Sequence, residues 1–368
     1  MEARIEPGAL FVDPASMRKL ATEIPLAGTR YTMIRLALAA IAGLGLDRAL
    51  ASRTRGEGVI LTFHHVSPDP SSVLPENAGL SITPGFLDAT LALLRQLDYD
   101  IIPLDGVAAR LENPVPGRPF AVLTFDDGYR DNRDHALPVL KRHAAPFTLF
   151  VCAGFAERSA PLWWLDLEDA VMRLDAVRVA LPDGGFAAAT GSRREKLAAL
   201  RALYWRLRQQ DEPVLRGAVA ALAKAAGVDP LARVARLCMA WDELRAFAAE
   251  PLAGIGAHSL SHPRLARLDE GAARYEMAAS RARILAGIGI EPRHFAYPVG
   301  DAGSAGPREF ALAETLGFEA AVTTVPGVVR RHHAGCMTAL PRISVNGLFQ
   351  EAQYLRALIS GVPFALKG

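Results

Sequence analysis

From Gly58 to Val345 short apolar runs alternate with amphipathic segments of helical period, and no other feature of this 368-residue chain restricts its fold so tightly. Val59–Phe63, Asp100–Pro103, Phe120–Leu123, Phe147–Cys152, the run ending near Ala257, His294–Tyr297, Ala320–Thr324 and Leu340–Val345 read as strands. Between them Pro84–Leu97 carries a stripe of Leu87, Leu91 and Leu94, widened by Phe86, Leu93 and Leu97. Val107–Leu111, Asp134–Arg142, Trp241–Ala249, Ala272–Ala286 and Pro307–Leu316 read as further helices. Strands and helices in alternation predict an α/β fold, a parallel sheet with helices outside it.

Residues 156–240 interrupt the rhythm. They read as mostly helical (Arg194–Gln210, Val214–Ala226) with a hairpin-like Val177–Phe186. A composition of 51% hydrophobic and 22% charged residues describes a soluble globular protein with a sizeable core. The net charge of +2 and the lack of a basic patch with interleaved aromatics argue against a nucleic-acid partner. Cys152, Cys238 and Cys336 are far apart and form no CxxC or disulfide framework. Cys152 reads as a small buried hydrophobe.

The N-terminus does not read as a signal peptide. The apolar run Leu36–Leu46 is too short to span a bilayer. If translation began at Met33, Ala49-Leu50-Ala51 would resemble a cleavage site, an idea weakened by Asp47-Arg48. The plainer expectation is an Ala/Leu-rich helix packed on the domain of a cytoplasmic protein. The alternative is membrane-surface contact through residues 30–57, where Arg48, Arg53 and Arg55 suit anionic lipid.

Two stretches carry chemistry. The strand Phe120–Leu123 runs into Thr124-Phe125-Asp126-Asp127-Gly128, so two carboxylates stand at a strand tip. Neighbouring carboxylates repel unless a cation or two distinct catalytic roles make use of them. One can ligate a cation while the other handles protons. Downstream, His258-Ser259-Leu260-Ser261-His262-Pro263 places two imidazoles on a loop, with a helix expected from Pro263. Two His and one Asp leave a metal position open, as catalytic sites do. Each piece alone has a plainer reading, a turn or an incidental pair of histidines. Their joint placement at the ends of apolar strands favours a site.

Thr-Phe-Asp-Asp-Gly followed by His-Ser-x-x-His resembles the polysaccharide deacetylase family, over about Gly58 to Val345. The resemblance implies a distorted (β/α) barrel and a hydrolase that removes N-acetyl groups from an amino-sugar oligo- or polysaccharide. It divides the chain into an N-terminal helical extension (1–57), a catalytic domain (58–345) whose 156–240 insertion covers one end of the barrel, and a C-terminal tail (346–368). It makes Asp127, His258 and His262 ligands of a divalent ion, zinc first, with cobalt, nickel or manganese as alternatives. Asp126 becomes the general base. The family's late Leu-x-His acid is missing. Phe63-His64-His65-Val66 matches a permuted Tyr-His-x-Val motif, which implies His64 as general acid, with His65 or a merely structural histidine as the alternatives. His332 and His333 read as surface residues.

The family's Arg-x-Pro-Tyr-Gly appears as Ala296-Tyr297-Pro298-Val299-Gly300, without the arginine that tethers the base. Arg342 is either its replacement or an ordinary surface residue. The backbone N–H of Val299 matches the family's oxyanion donor. Tyr297 either lines the sugar site or is core. Trp163, Trp164 and Trp241 are either stacking surfaces for sugar rings or buried aromatics. The competing classes are a deacetylase or amidohydrolase of a non-sugar or O-acetyl substrate and a non-catalytic glycan-binding protein. The glycan, the chain length and the oligomeric state are left open.

Overall fold

The computed structural model describes residues 27–70 and 72–365. Seven parallel strands close into a barrel: β1 (Gly58–Phe63), β2 (Phe120–Phe125), β3 (Phe147–Val151), β4 (Ala253–Ala257), β5 (His294–Ala296), β6 (Ala320–Pro326) and β7 (Leu340–Ser344). Each strand pairs with the next in sequence, and β1 closes the ring against both β7 and β2. The pairing of β1 with β2 runs from Gly58↔Phe120 to Phe63↔Phe125. The expected strand at Asp100 is present as Asp100–Ile101 but stays outside the ring. It pairs with Phe120 and Ala121, on the edge of β2 that β3 takes over at Thr124 and Phe125.

The strands are apolar on both faces, because one face meets helices and the other fills the lumen. The period of two sorts the residues. Phe120 and Val122 join Ile60, Phe150, Val322 and Leu340 in one cluster, which is the lumen. Ala121, Leu123 and Phe125 join Leu87, Leu91, Leu94, Met277 and Ile284 in the other, under the helices. Pro84–Gln96 starts where Thr83 caps it, its side chain accepting from Phe86 N–H at 3.2 Å. Its buried Leu87, Leu91 and Leu94 are the stripe seen in the sequence.

The helix expected from Pro263 does not start there. His262 has a left-handed backbone (φ 60°). A short turn at Leu265–Arg267 follows, and the helix is Glu270–Ile288, capped by Asp269 accepting from Ala272 N–H at 2.8 Å. Pro263 suits a helix start but does not provide a cap, and Asp269 does. The C-terminal tail read from the sequence contains a packed helix. Ala352–Ile359 is a helix with Tyr354, Leu355, Ala357 and Ile359 buried, and Tyr99 Oη donates to Ile359 O at 3.0 Å.

Two compact units emerge among the described residues. One gathers those up to Ala39 with Leu162–Pro230, narrower than the 156–240 read from the sequence. It contains the helices Trp163–Arg173, Arg193–Leu207 and Glu212–Ala225 and an antiparallel hairpin, Ala176–Val179 with Phe186–Ala189. The other unit, Ala40–Pro161 with Leu231 onward, holds the barrel. Among the described residues no helix is long and apolar enough to cross a membrane.

Inside the barrel unit Glu243, on the helix Trp241–Ala248, fastens the segment that follows β2. It accepts from Arg130 Nε and Nη2 at 2.8 Å each and from Arg133 Nη1 at 2.7 Å. The Arg130 bonds outweigh the burial of Glu243 and, with Ala240 N–H and Arg133, hold its carboxyl at about 2. A carboxyl depressed in the folded state contributes stability above its unfolded pKa and loses it as pH falls. Glu243→Gln is therefore expected to cost about 1 kcal/mol at neutral pH. Urea midpoints should show the gap to wild type closing as pH falls from about 4.5 toward 2. A gap independent of pH would refute the ion-pair account.

Candidate metal centre

The lumen face of β2 continues Phe120, Val122, Thr124, Asp126, so period-two alternation points Asp126 inward without further help. Asp127 would then point outward. It does not, because Asp127 and Gly128 both take left-handed backbones (φ 74° each) and turn the chain over at the strand tip. Met239 N–H holds that turn, donating to Gly128 O at 3.0 Å. Both carboxylates thus face one mouth, at the C-terminal ends of the strands where barrel sites sit.

His258 follows β4. Its N–H donates to Val151 O at 2.9 Å, and its ring Nδ1 lies 2.7 Å from Ala296 O. The carbonyl accepts from Nδ1–H, which assigns the tautomer and leaves the Nε2 lone pair facing the mouth. His262 comes round through a loop with two left-handed residues, Ser259 (φ 61°) and His262 itself, and its N–H donates to Ser259 Oγ at 2.9 Å. Nε2 of His258 is 3.5 Å and Nε2 of His262 3.4 Å from Asp127 Oδ1. One donor atom from each residue lies within 4.8 Å of the others, and all three residues are buried.

Those atoms fit a divalent cation. Asp127 Oδ1 is buried and has no hydrogen-bond partner among the described residues. An orphaned buried carboxylate oxygen is costly unless a ligand satisfies it. Two imidazole nitrogens and one carboxylate oxygen suit a zinc-like ion with an open position. Four of the non-glycine residues with positive φ, Asp127, Ser259, His262 and Val299, lie on these strand-end loops. Left-handed backbone is disfavoured for residues with a Cβ, most of all the β-branched Val299, so the strain is concentrated at the candidate site.

Asp126 has a partner of its own. Arg342, 1% exposed on the lumen face of β7, grips it two-pronged, Nη1 to Oδ1 at 2.8 Å and Nη2 to Oδ2 at 2.7 Å. Arg342 Nε donates to Thr323 O at 2.7 Å and Nη1 also to Thr124 Oγ1 at 3.1 Å. Burial alone would raise the Asp126 carboxyl. Arg342 and the nearby His258 and His64 outweigh it and hold the carboxyl far below the usual range. The alternative of a surface arginine at 342 is excluded by this burial. Arg342→Met would leave Asp126 buried without its counter-charge and is expected to cost about 3–5 kcal/mol. Urea denaturation measures it, and a loss under 1 kcal/mol would show the pair to be unimportant for stability.

His64, past the tip of β1, reaches the same mouth. Its Nε2 is 3.9 Å from Asp126 Oδ2, and its side chain is 17% exposed. Burial lowers its pKa, opposed by Asp126 and Asp127. Asn132 Nδ2 donates to His64 O at 2.7 Å and fixes the backbone there. His65 is engaged elsewhere: Nδ1 is 2.6 Å from Asp131 Oδ2, and the ring stacks on Tyr129 with centroids 3.6 Å apart. Val299 ends the turn after β5, where Thr324 Oγ1 donates to Val299 O at 2.7 Å.

Of the aromatic candidates, Tyr297, Trp163 and Trp164 are buried. Tyr297 is fully buried, its hydroxyl donating to Thr338 O at 2.8 Å, so it is core and not a sugar-lining residue. Trp163 and Trp164 belong to the other unit and are 5% and 6% exposed. Trp163 stacks on Tyr204, so the reading of these two rings as sugar platforms is corrected to buried aromatics. Trp241 packs against Gly287, where a Cβ would come within 2.5 Å of the indole. His332 and His333 sit in the turn Arg331–Gly335, next to Val329, which pairs with Gly58 at the start of β1, the opposite end of the barrel.

Sequence reasoning missed Glu276, on the helix Glu270–Ile288. Its carboxylate accepts from Leu260 N–H (3.0 Å), Ser261 N–H (2.8 Å) and Ser261 Oγ (2.6 Å), pinning the loop between the two histidines. The only advance signal is a second acid, after Glu270 in the first turn, in a helix otherwise rich in Ala and Arg.

A sequence profile described as polysaccharide deacetylase matches residues 114–321. Among solved structures the chain is similar to the Streptococcus pyogenes deacetylase PplD in complex with acetate, at 17% identity and TM-score 0.52, over 82% of this chain and 97% of that one. It is also similar to IcaB from Ammonifex degensii, at 20% identity and TM-score 0.51, over 83% of this chain and 98% of that one. At these identities the likeness is one of fold. A search of curated proteins finds no match.

Proposed function

Because the chain belongs to the polysaccharide deacetylase family, we propose that it hydrolyses N-acetyl groups of an amino-sugar glycan at a divalent metal centre and releases acetate. The carrying observation is the convergence of Asp127, His258 and His262 beside a separately held Asp126. In this reading the trio holds the ion, zinc being the first choice. When bound, such an ion acidifies water and polarises the acetamide carbonyl.

The other residues divide the remaining work. Asp126 takes the proton from the attacking water; the Arg342 fork keeps it ionised and fixes its orientation. The Val299 N–H stabilises the oxyanion. His64 protonates the leaving amine, and the engagement of His65 with Asp131 supports this choice between the neighbours. Burial leaves the His64 pKa below its ordinary value, and the Asp126 carboxylate beside it limits that lowering.

The test is acetate release from a panel of N-acetylated oligo- and polysaccharides with zinc, cobalt, nickel or manganese added to metal-stripped protein. Release that returns with metal supports the reading. Glycan binding without release under every metal would favour a lectin, and release only from O-acetyl esters would move the substrate class.

A further inference from the structure

Arginines gather at the end of the barrel remote from the metal centre. A cavity of about 310 Å³ opens where Arg55-Gly56-Glu57 leads into β1 and the loop Pro114–Pro119 leads into β2. The metal trio lies past the other ends of the strands. Six residues at roughly 3.3 Å each separate the two ends, roughly 20 Å. The cavity shares no residue with the metal centre.

Four guanidinium groups line this cavity: Arg55, Arg110, Arg118 and Arg331. Two carboxylates answer them. Asp100 accepts from Arg110 Nη1 at 2.8 Å and from Arg118 Nη2 at 2.5 Å, and Glu57 accepts from Arg331 Nε at 3.1 Å. Four positive charges against two negative leave an excess of two. Two further hydrogen bonds go to backbone, Arg55 Nη2 to Gly117 O at 3.2 Å and Arg110 Nη2 to Arg118 O at 2.5 Å, and the Arg110 guanidinium lies over the Phe120 ring, 5.9 Å from its centroid.

Each guanidinium has five N–H donors, and each is seen to use one or two of them on protein. Arg110 Nε is buried and has no hydrogen-bond acceptor among the described residues. An acceptor from outside can reach the donors left over on the exposed Arg118 and Arg331. The walls are stiff. Pro114, Pro116 and Pro119 fix one side, and Gly56 (φ 65°) the other, where a Cβ would come within 2.3 Å of Val329 O.

We infer that this cavity is an anion site for a phosphoryl group. A phosphate monoester carries up to two negative charges, matching the excess, and its oxygens accept paired guanidinium N–H bonds. A carboxylate would neutralise only half of that excess. The phosphoryl group comes either from a soluble phosphate compound or from a lipid headgroup, and both present the same oxygens.

Equilibrium dialysis with inorganic phosphate at constant ionic strength tests the site on the full chain. Arg118 and Arg331 have side chains 62% and 72% exposed, so Arg118→Ser/Arg331→Ser should fold. Saturable uptake by wild type is expected, at least 10-fold weaker in the double variant, with acetate release and bound metal unchanged. Arg110→Lys keeps the charge but loses the planar guanidinium fork, and it should weaken uptake too. Equal uptake by wild type and double variant, or no saturable uptake, overturns the site. Flotation with phosphatidic acid in phosphatidylcholine vesicles separates the sources. Flotation that needs Arg118 and Arg331 and is displaced by phosphate identifies a lipid headgroup. Saturable uptake without flotation identifies a soluble phosphate compound, and either supports the site.

Discussion

His258→Ala and Asp127→Ala proteins are expected to lose bound divalent ion and acetate release together while the barrel stays folded. Each substitution leaves two protein donors where three converge within 4.8 Å. A monodentate site reduced to two ligands holds its ion too weakly to survive dialysis. The fold should persist because these residues stand past the strand tips, outside the apolar clusters of lumen and helix layer. His258→Ala forfeits the bond from Nδ1 to Ala296 O, worth about 1 kcal/mol. Asp127→Ala removes an unsatisfied buried oxygen, so the stripped protein should be no less stable than stripped wild type. Metal analysis after dialysis, with circular dichroism as the check on folding, decides the matter. Stoichiometric metal in folded His258→Ala protein would sink the ligand assignment.

Asp126→Asn is expected to separate the neighbours: metal content kept, turnover down by about 10² to 10⁴. An amide is a poor proton acceptor, yet it presents an oxygen to Arg342 in nearly the same shape. The neutral side chain leaves the buried guanidinium without its counter-charge, so the thermal midpoint should fall as well. Turnover is therefore compared at a temperature where the variant is fully folded. Near-normal turnover would mean that Asp126 and Asp127 have exchanged roles or that another base operates. The same assay places the acid. His64→Ala should retain metal and glycan binding and lose turnover, whereas His65→Ala, whose ring is engaged with Asp131 and Tyr129, should stay active. An active His64→Ala enzyme would refute the assignment.

The barrel and most of its mouth were legible because the signals are local. A buried parallel strand announces itself in six residues, and the period of two carries from Phe120 to Asp126 without knowledge of any neighbour. The two histidines were legible because their loop is short and follows directly on a strand. The same locality misled at Pro263: proline allows a helix to begin, but the helix began at the next good cap, Asp269. It was ambiguous for the aromatic rings too, since a tryptophan in an apolar run reads alike as a sugar platform and as core. Tyr297, Trp163 and Trp164 became core residues once neighbouring elements covered them.

By itself the sequence determined a parallel α/β barrel with paired carboxylates at one strand tip and two imidazoles at another. Only the tertiary structure decided which residues those tips face. Arg342 lies 216 positions from Asp126, and nothing local distinguishes it from an exposed arginine until β7 closes on β1 and puts both on the lumen face. Glu276 took up the histidine loop for the same reason, by folding of a helix back over the strand ends. Even the inward turn of Asp127 is a tertiary decision. Its left-handed backbone is held by Met239, which is distant in sequence, against the alternation that the strand alone would impose.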